Sequence, residues 1–367
     1  MKRVQREIVV IGSGPAGLCA AIEAAQAGAG VLLLDENAKP GGQLFKQIHK
    51  FFGSADHRAG VRGLDIGVQL LKQAEDLNIE VWLNSEACGI FDQNSVWVVR
   101  DKQHSITVEA QRIIIATGAV ENSINFPGWT LPGVMGAGAA QTMINVNRVL
   151  PGHRVLMVGS GNVGVIVSYQ LLQAGAQVVA IVEAAPTLGG YGVHTAKVRR
   201  AGVPFYASHT VKEARGTDHV KSAVLVNLDS NWQPIDGSEF EVEVDTICIA
   251  TGLTPAVELA FGSGCTPVNS PALGGLVPVH DAGMKSSNES IYVAGDVCGV
   301  EEASTAMEEG RIAGLCAAHS LSYLDEAAFS RRFEQLQHNV NALRSGMFGQ
   351  RRREAKESIV SSYGVHR

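Results

Sequence analysis

Residues 7–36 read EIVVIGSGPAGLCAAIEAAQAGAGVLLLDE and place a strand, a glycine-rich turn, a helix and a second strand in immediate succession. The apolar run at 8–11 is typical of a buried parallel strand. In the G-x-G-x-x-G pattern that follows, the first glycine bends the chain, the second admits a diphosphate and the third lets helix pack on strand. The pattern and its intervening candidate residues are Gly12, Gly14, Pro15, Ala16 and Gly17. Together with the free N–H groups of the helix N-terminus, they predict a dinucleotide site. A glycine turn in an ordinary α/β unit is the competing interpretation.

Two adjacent acids follow the second strand. Asp35 comes 23 residues after Gly12 (35 − 12), the spacing expected of a carboxylate that binds a ribose hydroxyl. Glu36 is an alternative ribose ligand, because the spacing does not decide which of the two adjacent acids takes this place. The next loop, KPGGQ, contains Gly42, which permits a turn close to a ligand, and Gln43, whose amide offers a donor and an acceptor. A plain surface loop is the alternative there.

Residues 154–183 repeat this arrangement. A strand at 154–158 precedes GSGNVG, a helix is predicted at 165–174, and a strand at 178–182 ends in an acid. The candidate residues are Gly159, Gly161, Asn162, Val163, Gly164 and Glu183. The acid lies 24 residues after the first glycine (183 − 159), and no arginine adjoins it, which favours NAD over NADP. The chain therefore contains an internal repeat of a nucleotide-binding unit.

Further candidates follow the other predicted strands. The sequence Ala-Thr-Gly ends an apolar run twice, at 116–118 and 250–252, and the strand predicted at 290–297, SIYVAGDV, contains a glycine and an aspartate near its end. Asp296 could accept hydrogen bonds from the hydroxyls of a flavin's ribityl chain, or it could cap the helix predicted at 302–314. The additional cofactor candidates are Ala87, Ala116, Thr117, Gly118, Gly252, Gly295, Asp296, Ser304 and Thr305.

Composition sets limits on the function. The net charge of −6 over 367 residues gives no support for binding to nucleic acid or an anionic membrane. No apolar run reaches the ~18 residues of a membrane helix, and the N-terminus lacks a signal-peptide cleavage pattern, so a cytoplasmic protein is expected. The cysteines are Cys19, Cys88, Cys248, Cys265, Cys298 and Cys316, and no two form a C-x-x-C pair. The histidines lack metal-ligand spacing, and only His194, after a glycine turn, is of interest.

The remaining segments have simpler interpretations. A helix is predicted at 56–77, a strand at 81–83, a small antiparallel meander at 90–109 and a linker at 125–135. The apolar residues Phe329, Phe333, Leu336, Val340 and Leu343 indicate an amphipathic helix, with Gly346 as its stop. Arg351, Arg352, Arg353 and Lys356 would then form a solvated basic end. The helix is expected either to dock on its own body or to face a partner subunit.

These landmarks, between about residues 5 and 320, resemble the thioredoxin-reductase-like flavoproteins that bind two dinucleotides. The resemblance implies an α/β fold in which an NAD(P)-binding domain, 123–264, is inserted into a discontinuous FAD-binding domain, 1–122 and 265–325. Residues 326–367 would be the helix and basic tail. The same resemblance implies that FAD is bound by the first glycine motif, the acid pair, Gly42, Gln43, Thr117, Gly118, Gly295 and Asp296. The second nucleotide would be held by Gly159, Gly161, Gly164 and Glu183.

The departures from that pattern narrow the prediction. Thioredoxin reductases have a C-x-x-C before the second glycine motif, where residues 134–147 here read VMGAGAAQTMINVN. Glutathione-reductase relatives have a cysteine pair after Gly-Gly, where this chain continues Gln-Leu. Disulfide reduction is therefore not expected. The segments PGWTLPGVM, SYQLLQAGA, ATGLTP and EEASTAMEEGR resemble the α-type subunits of heteromeric dehydrogenases or oxidases of sarcosine, proline, hydroxyproline or opines, and of hydrogen cyanide synthase.

That narrower resemblance implies an FAD-dependent oxidoreductase subunit that relays electrons between a β-type FAD partner, which oxidises the amine, and NAD or another acceptor. NAD(H) or another adenine nucleotide would occupy the second site, and FMN at an interface between subunits is a further candidate. No cysteine follows Cys316, so any iron–sulfur centre would belong to another, small subunit. Hydride transfer requires alignment rather than a nucleophile, and no catalytic residue is predicted. The alternatives are a stand-alone NADH:acceptor flavin reductase and a non-catalytic nucleotide-holding scaffold.

Overall fold

The computed structural model describes residues 2–51, 55–92 and 94–365. The chain divides into two compact units, the first formed by Met1–Val120 with Thr254–Arg367 and the second by Glu121–Leu253. The first unit thus contains both ends of the chain. The chain returns to it at Thr254, earlier than the boundary predicted at 264/265, and the C-terminal tail belongs to this unit as well.

The N-terminal part of the first unit begins with the strand–turn–helix–strand segment. Its elements are β1 (Lys2–Ile11), α1 (Pro15–Gln26), β2 (Val31–Leu34), α2 (Gly63–Asp76), β3 (Glu80–Trp82), β4 (Ser85–Phe91), β5 (Ser95–Arg100), β6 (His104–Ile115) and β7 (Ala119–Glu121). Short 3₁₀ turns cover Gly42–Lys46 and Ala55–His57. The helix predicted at 56–77 starts only at Gly63, because Arg58 and Gly60 have positive φ angles that interrupt a right-handed helix.

The second unit contains β8 (Val134–Gly136), α3 (Ala137–Thr142), a π-helical turn (Met143–Asn147), β9 (Arg154–Val158), α4 (Asn162–Gln173), β10 (Gln177–Glu183), α5 (Gly192–Arg200), β11 (Phe205–Ala207), β12 (His209–Gly216), β13 (Val220–Asn227), β14 (Phe240–Glu243) and β15 (Thr246–Ile249). A parallel sheet has the strand order β11-β10-β9-β15-β8. An antiparallel sheet has the order β12-β13-β14.

The chain re-enters the first unit within β16 (Leu253–Pro255). The remaining elements are α6 (Glu258–Gly262), β17 (Pro267–Ser270), β18 (Gly275–Pro278), β19 (Ile291–Val293), α7 (Ala303–His319), α8 (Glu326–Leu343) and α9 (Gly346–Ser362), with 3₁₀ turns at Pro271–Leu273, Gly295–Cys298 and Tyr363–Val365. Six strands of this unit form a sheet in the order β3-β2-β1-β6-β5-β4, and β19, which pairs in parallel with β6 outside that path, is the seventh. The paired central segments, 8–11 of β1, Val31–Leu34, 113–115 of β6 and Ile291–Val293, are apolar and buried, as expected when both faces are covered.

The packing of α1 on α7 fixes the core of the first unit. Gly310 and Gly314 lie one turn apart on α7, and a Cβ atom added to them would be 2.1 Å from the carbonyl oxygen of Ala16 and 2.2 Å from that of Ala20. The two helices therefore approach at backbone distance. This contact places the N-terminal end of α7 beside the first glycine loop, although the two are almost 300 residues apart in the sequence.

The tail differs from the prediction. Helix α8 docks on its own unit, with Leu336 and Val340 buried. Gly346 does not end the helical tail but begins α9, after a break at residues 344–345. The expected solvated basic end is wrong for Lys356, whose side chain is buried, because it forms an ion pair with the buried carboxylate of Glu309. Within the described residues, no helix is both long and apolar enough to span a membrane.

Candidate dinucleotide sites

The first glycine loop combines two crowded positions with one open position. Gly12 has φ +101°, and a Cβ there would lie 2.3 Å from the Ala116 carbonyl oxygen. A Cβ at Gly17 would lie 1.8 Å from the Gly12 oxygen, whereas one at Gly14 would meet nothing within 4 Å. Gly14 is also the N-cap of α1 and makes no side-chain capping bond. The loop therefore leaves open space in front of helical N–H groups, where a diphosphate fits.

The second glycine loop has the same geometry. Gly159 has φ +106° and a Cβ there would lie 2.3 Å from the Ala250 oxygen, while a Cβ at Gly164 would lie 2.2 Å from the Gly159 oxygen. Gly161, the N-cap of α4, has nothing within 4 Å of its added Cβ. The internal repeat therefore extends from sequence to structure, and both loops fit the diphosphate of a dinucleotide.

The two acids after β2 have different surroundings. Asp35 is buried: its Oδ2 accepts hydrogen bonds from the backbone N–H of Ser13 at 2.7 Å and from the Ser13 hydroxyl. Its Oδ1 accepts bonds from the backbone and side-chain nitrogens of Asn37 at 2.8 and 3.0 Å. These four bonds fill the usual acceptor positions of a carboxylate. Glu36 is exposed, so of the two acids it has the side chain that can reach a ligand from solvent.

A cavity of about 410 Å³ opens beside this exposed acid. Its lining residues are Glu36, Asn37, Asn84, Glu86, Val99, Asp101 and Lys102. Ala87 lies next to this group on β4 and is half-buried. The cavity is thus built from the end of β2 and the antiparallel meander, on the same unit as the first glycine loop.

Glu183 occupies the corresponding place in the second unit. Its Oε2 accepts hydrogen bonds from the backbone N–H of Ser160 at 2.9 Å and from the Ser160 hydroxyl at 2.7 Å, and its Oε1 accepts one from Ala185 N at 3.0 Å. One acceptor position of Oε1 is not filled by these three bonds. Glu183 thus holds the loop and retains a position for a further donor.

Ser13 and Ser160, which sequence reasoning missed, also organise the next loop in each unit. The Ser13 hydroxyl oxygen accepts a hydrogen bond from Gly41 N at 3.3 Å, and the Ser160 oxygen accepts one from Gly189 N at 3.0 Å. Each serine thereby connects the glycine loop, the acid and a Gly-Gly turn. The signal in the sequence was the same residue type at the same place in both repeats.

The other predicted residues of the first unit surround the same loop. Gly42 has φ +52° and a Cβ there would lie 2.8 Å from the Gly14 Cα, while Gln43 is exposed. The backbone N–H of Ala116 donates to the Ile11 carbonyl at 2.8 Å, and the Thr117 hydroxyl donates to the Ala256 carbonyl at 2.7 Å.

In the second unit, Gly252 has φ +107° beside Asn122. His194 is buried on α5, and its ring stacks on that of Tyr191.

The turn that carries Asp296 meets the first loop. A Cβ added to Gly295 would lie 2.8 Å from the Ala16 Cβ, so this turn contacts the start of α1. Asp296 is half-buried and accepts a hydrogen bond from Glu301 N at 3.2 Å, and burial raises the pKa of its carboxyl to about 6. It is not a helix cap, because the N-cap of α7 is Glu302. Ser304 and Thr305 are buried in the first turn of that helix.

Most of the cysteines are buried, and burial raises the pKa of their thiols. All six are free; Cys88 is exposed, Cys316 half-buried and the other four buried. Burial raises the pKa of Cys248 to about 12 and also raises the pKa of the Cys19, Cys265, Cys298 and Cys316 thiols. Raised pKa values oppose formation of the thiolate that attacks a disulfide.

Residues 6–310 match the family described as pyridine nucleotide-disulphide oxidoreductase. The chain belongs to this family. It is therefore an oxidoreductase-family protein, and the family generally binds FAD and a pyridine nucleotide. The resemblance to two-dinucleotide flavoproteins, inferred from the motifs, is confirmed.

Among curated proteins, the chain is 30% identical to an opine oxidase subunit of Agrobacterium tumefaciens, over 86% of this chain and 66% of that protein. It is also 30% identical to the HcnB subunit of hydrogen cyanide synthase from Pseudomonas aeruginosa, over 84% and 69%. The alpha subunit of sarcosine oxidase from Rhizobium meliloti is 31% identical, over 71% of this chain and 26% of that protein. The chain thus spans about two thirds of the length of the first two relatives and a quarter of the third.

Solved structures show the same fold. L-proline dehydrogenase from P. horikoshii superposes with a TM-score of 0.68 at 23% identity, covering 91% of this chain and 59% of that chain. T. acidophilum thioredoxin reductase gives a TM-score of 0.71 at 20% identity, covering 87% and 99%. The predicted α/β fold with two Rossmann-like dinucleotide-binding domains is confirmed.

Proposed function

We propose that this chain is the FAD-binding, α-type subunit of a heteromeric amine or amino-acid dehydrogenase or oxidase, and that it relays electrons from a β-type flavoprotein partner to NAD or another acceptor. The observation that carries the proposal is the pair of equivalent open glycine loops at Gly14 and Gly161. The names of the relatives, subunits of opine oxidase, hydrogen cyanide synthase and sarcosine oxidase, support the heteromeric assignment.

FAD belongs in the first unit. The N–H groups behind Gly14 would hold its diphosphate, Glu36 its ribose hydroxyls and Asp296 the ribityl hydroxyls. Asp35 stabilises the conformation of the loop, since its carboxylate already accepts hydrogen bonds from Ser13 and Asn37. FAD, when bound, supplies the capacity to accept and donate two electrons.

NAD(H) or another adenine nucleotide belongs in the second unit. The N–H groups behind Gly161 would hold its diphosphate, and Glu183 has the remaining acceptor position for a ribose hydroxyl. A carboxylate there favours a ribose without a 2′-phosphate. Each set of residues binds and orients its own cofactor, and hydride transfer requires no side-chain nucleophile.

Disulfide reduction is not part of the proposal. Residues 134–147 contain no cysteine, and burial raises the pKa of Cys248, the cysteine of β15 in the same unit, to about 12. Amine oxidation is assigned to the partner, and an iron–sulfur centre to a further small subunit. FMN at the interface and a cytoplasmic location are part of the same proposal.

Coexpression with the β-type partner tests this assignment. The purified complex is mixed anaerobically with sarcosine, proline, hydroxyproline or an opine, and flavin absorbance is followed. We expect one of these amines to bleach the flavin absorbance of the complex but not that of the chain alone. Rapid NADH-driven reduction of added acceptors by the chain alone, with no response of the complex to any amine, would instead identify a stand-alone flavin reductase.

A further inference from the structure

The C-terminal helices place two cations in the interior of the first unit. Lys356 on α9 is 3% exposed and Arg344, the C-cap of α8, is 8% exposed. A buried cation is costly unless a carboxylate pairs with it. Both contact Glu309 of α7, which is itself 1% exposed: the Lys356 Nζ lies 2.7 Å from Oε1, and the Arg344 guanidinium bonds the same oxygen.

Glu309 connects this ion cluster to the turn that carries Asp296. Its second oxygen, Oε2, accepts a hydrogen bond from the backbone N–H of Gly295 at 3.1 Å and one from the Cys298 thiol at 3.4 Å. Burial acts to raise the pKa of Glu309, but the positive charges of Lys356 and Arg344 outweigh it and hold the pKa below its usual value. Glu309 is therefore a carboxylate, the stronger acceptor for the Gly295 N–H.

Lys356 also holds the other end of the same turn. Its Nζ donates a hydrogen bond to the Cys298 carbonyl at 2.8 Å and lies 3.3 Å from the Cys298 sulfur. One ammonium group thus fixes the first residue of the 295–298 turn through Glu309 and the last residue directly. Asp296 lies between these two anchored residues.

We propose that Lys356, together with Glu309, is a positioning residue for the flavin: it fixes the 295–298 turn and so the direction in which Asp296 meets the ribityl chain. This inference rests on the proposed function, since it assumes FAD at the first loop. The competing explanation is that Lys356 only attaches α9 to the body of the unit.

Two variants and a control separate these explanations. Lys356→Met removes the ammonium group and keeps an unbranched side chain, but the buried carboxylate of Glu309 then loses one of its two cationic partners. Lys356→Met/Glu309→Gln removes both charges, so no unpaired charge is created and most of the thermal stability should return. Arg353→Met is the matched control, because the Arg353 side chain lies on the same helix, is 45% exposed and forms an ion pair with the exposed Glu357 of its own helix.

Each protein is compared by melting temperature, amide hydrogen exchange at residues 295–301, FAD dissociation constant and the visible flavin spectrum. We expect the double variant to exchange faster in this segment, to bind FAD about tenfold more weakly and to shift the flavin spectrum, while the control matches the wild type. A double variant with recovered stability and wild-type exchange, affinity and spectrum would overturn the inference. Faster exchange with unchanged FAD affinity would overturn it as well. FAD binding by the wild-type chain tests the proposed function, and its absence would refute that function. The variants test only the positioning role of Lys356.

Discussion

The hydroxyl of Ser160 donates a hydrogen bond to Glu183 at 2.7 Å, and Ser13 makes the same bond to Asp35 in the other unit. In each case the serine lies between the first two glycines of the motif and its backbone N–H bonds the same carboxylate oxygen. The acid at the end of the second strand therefore has a structural role before any ligand arrives. This relationship links loop shape to nucleotide affinity.

Ser160→Ala should weaken binding of NADH to the second unit while FAD content stays at the wild-type level. The loss removes a hydrogen bond to a charged group, which contributes about 1.5–3 kcal/mol. Isothermal titration with NADH, beside the flavin-to-protein absorbance ratio, measures both effects. Ser13→Ala is the matched variant and should show the reverse pattern. Equal NADH affinity in Ser160→Ala and the wild type would contradict this role.

Glu36→Gln should weaken FAD binding without lowering the melting temperature, because Glu36 is exposed. Asp35→Ala should lower the melting temperature, because it leaves the buried Ser13 donors unpaired at about 1–3 kcal/mol. Thermal unfolding of the ligand-free proteins and fluorescence titration with FAD separate the two. Glu75→Gln, at an exposed position on α2 that does not line this cavity, is the control. If Glu36→Gln binds FAD normally, Glu36 is not the ribose ligand.

FAD affinity should depend on pH through Asp296. Its carboxyl has a pKa of about 6 in the ligand-free protein, raised by burial, and donors on the ribityl chain would lower that pKa. Affinity should therefore increase as the pH rises towards 6 and level off above it. Asp296→Asn should remove this dependence, and Asp296→Ala should reduce flavin retention. Dissociation constants at pH 5, 6, 7 and 8 provide the check; a flat wild-type profile would argue against the carboxylate as ligand.

Gly314→Ala should destabilise the first unit by about 1–3 kcal/mol, because the added methyl group would lie 2.2 Å from the Ala20 carbonyl oxygen and force α1 and α7 apart. Gly262→Ala is the control, since nothing lies within 4 Å of a Cβ at that position. Chemical denaturation of both variants measures the difference. Equal stability would mean that the helices separate without cost.

The features predicted most accurately from the sequence are those set by short local patterns. Gly12 and Gly159 need positive φ angles, and Gly17 and Gly164 need close backbone approach, so glycine spacing alone determines the strand–turn–helix units. The helix predicted at 302–314 and the strand predicted at 290–297 are observed as Ala303–His319 and Ile291–Val293, and apolar periodicity indicates both.

The features that sequence reasoning misses depend on contacts distant in the chain. A basic residue such as Lys356 is normally exposed, and its burial requires Glu309, 47 residues earlier (356 − 309), together with the Cys298 carbonyl. Local sequence contains neither partner, so the pattern alone predicts a solvated end. The role of Asp35 is likewise decided by Ser13 and Asn37, because spacing alone does not distinguish Asp35 from Glu36.

The absorbance spectrum of the chain purified alone, recorded before and after anaerobic NADH and again with the β-type partner and its amine, tests the central claim most directly. We predict a flavin band that the partner and amine bleach. A band bleached by NADH alone would indicate a complete NADH–FAD pair within this chain. A protein without any flavin band, even after incubation with FAD, would contradict the claim and favour a nucleotide-holding scaffold.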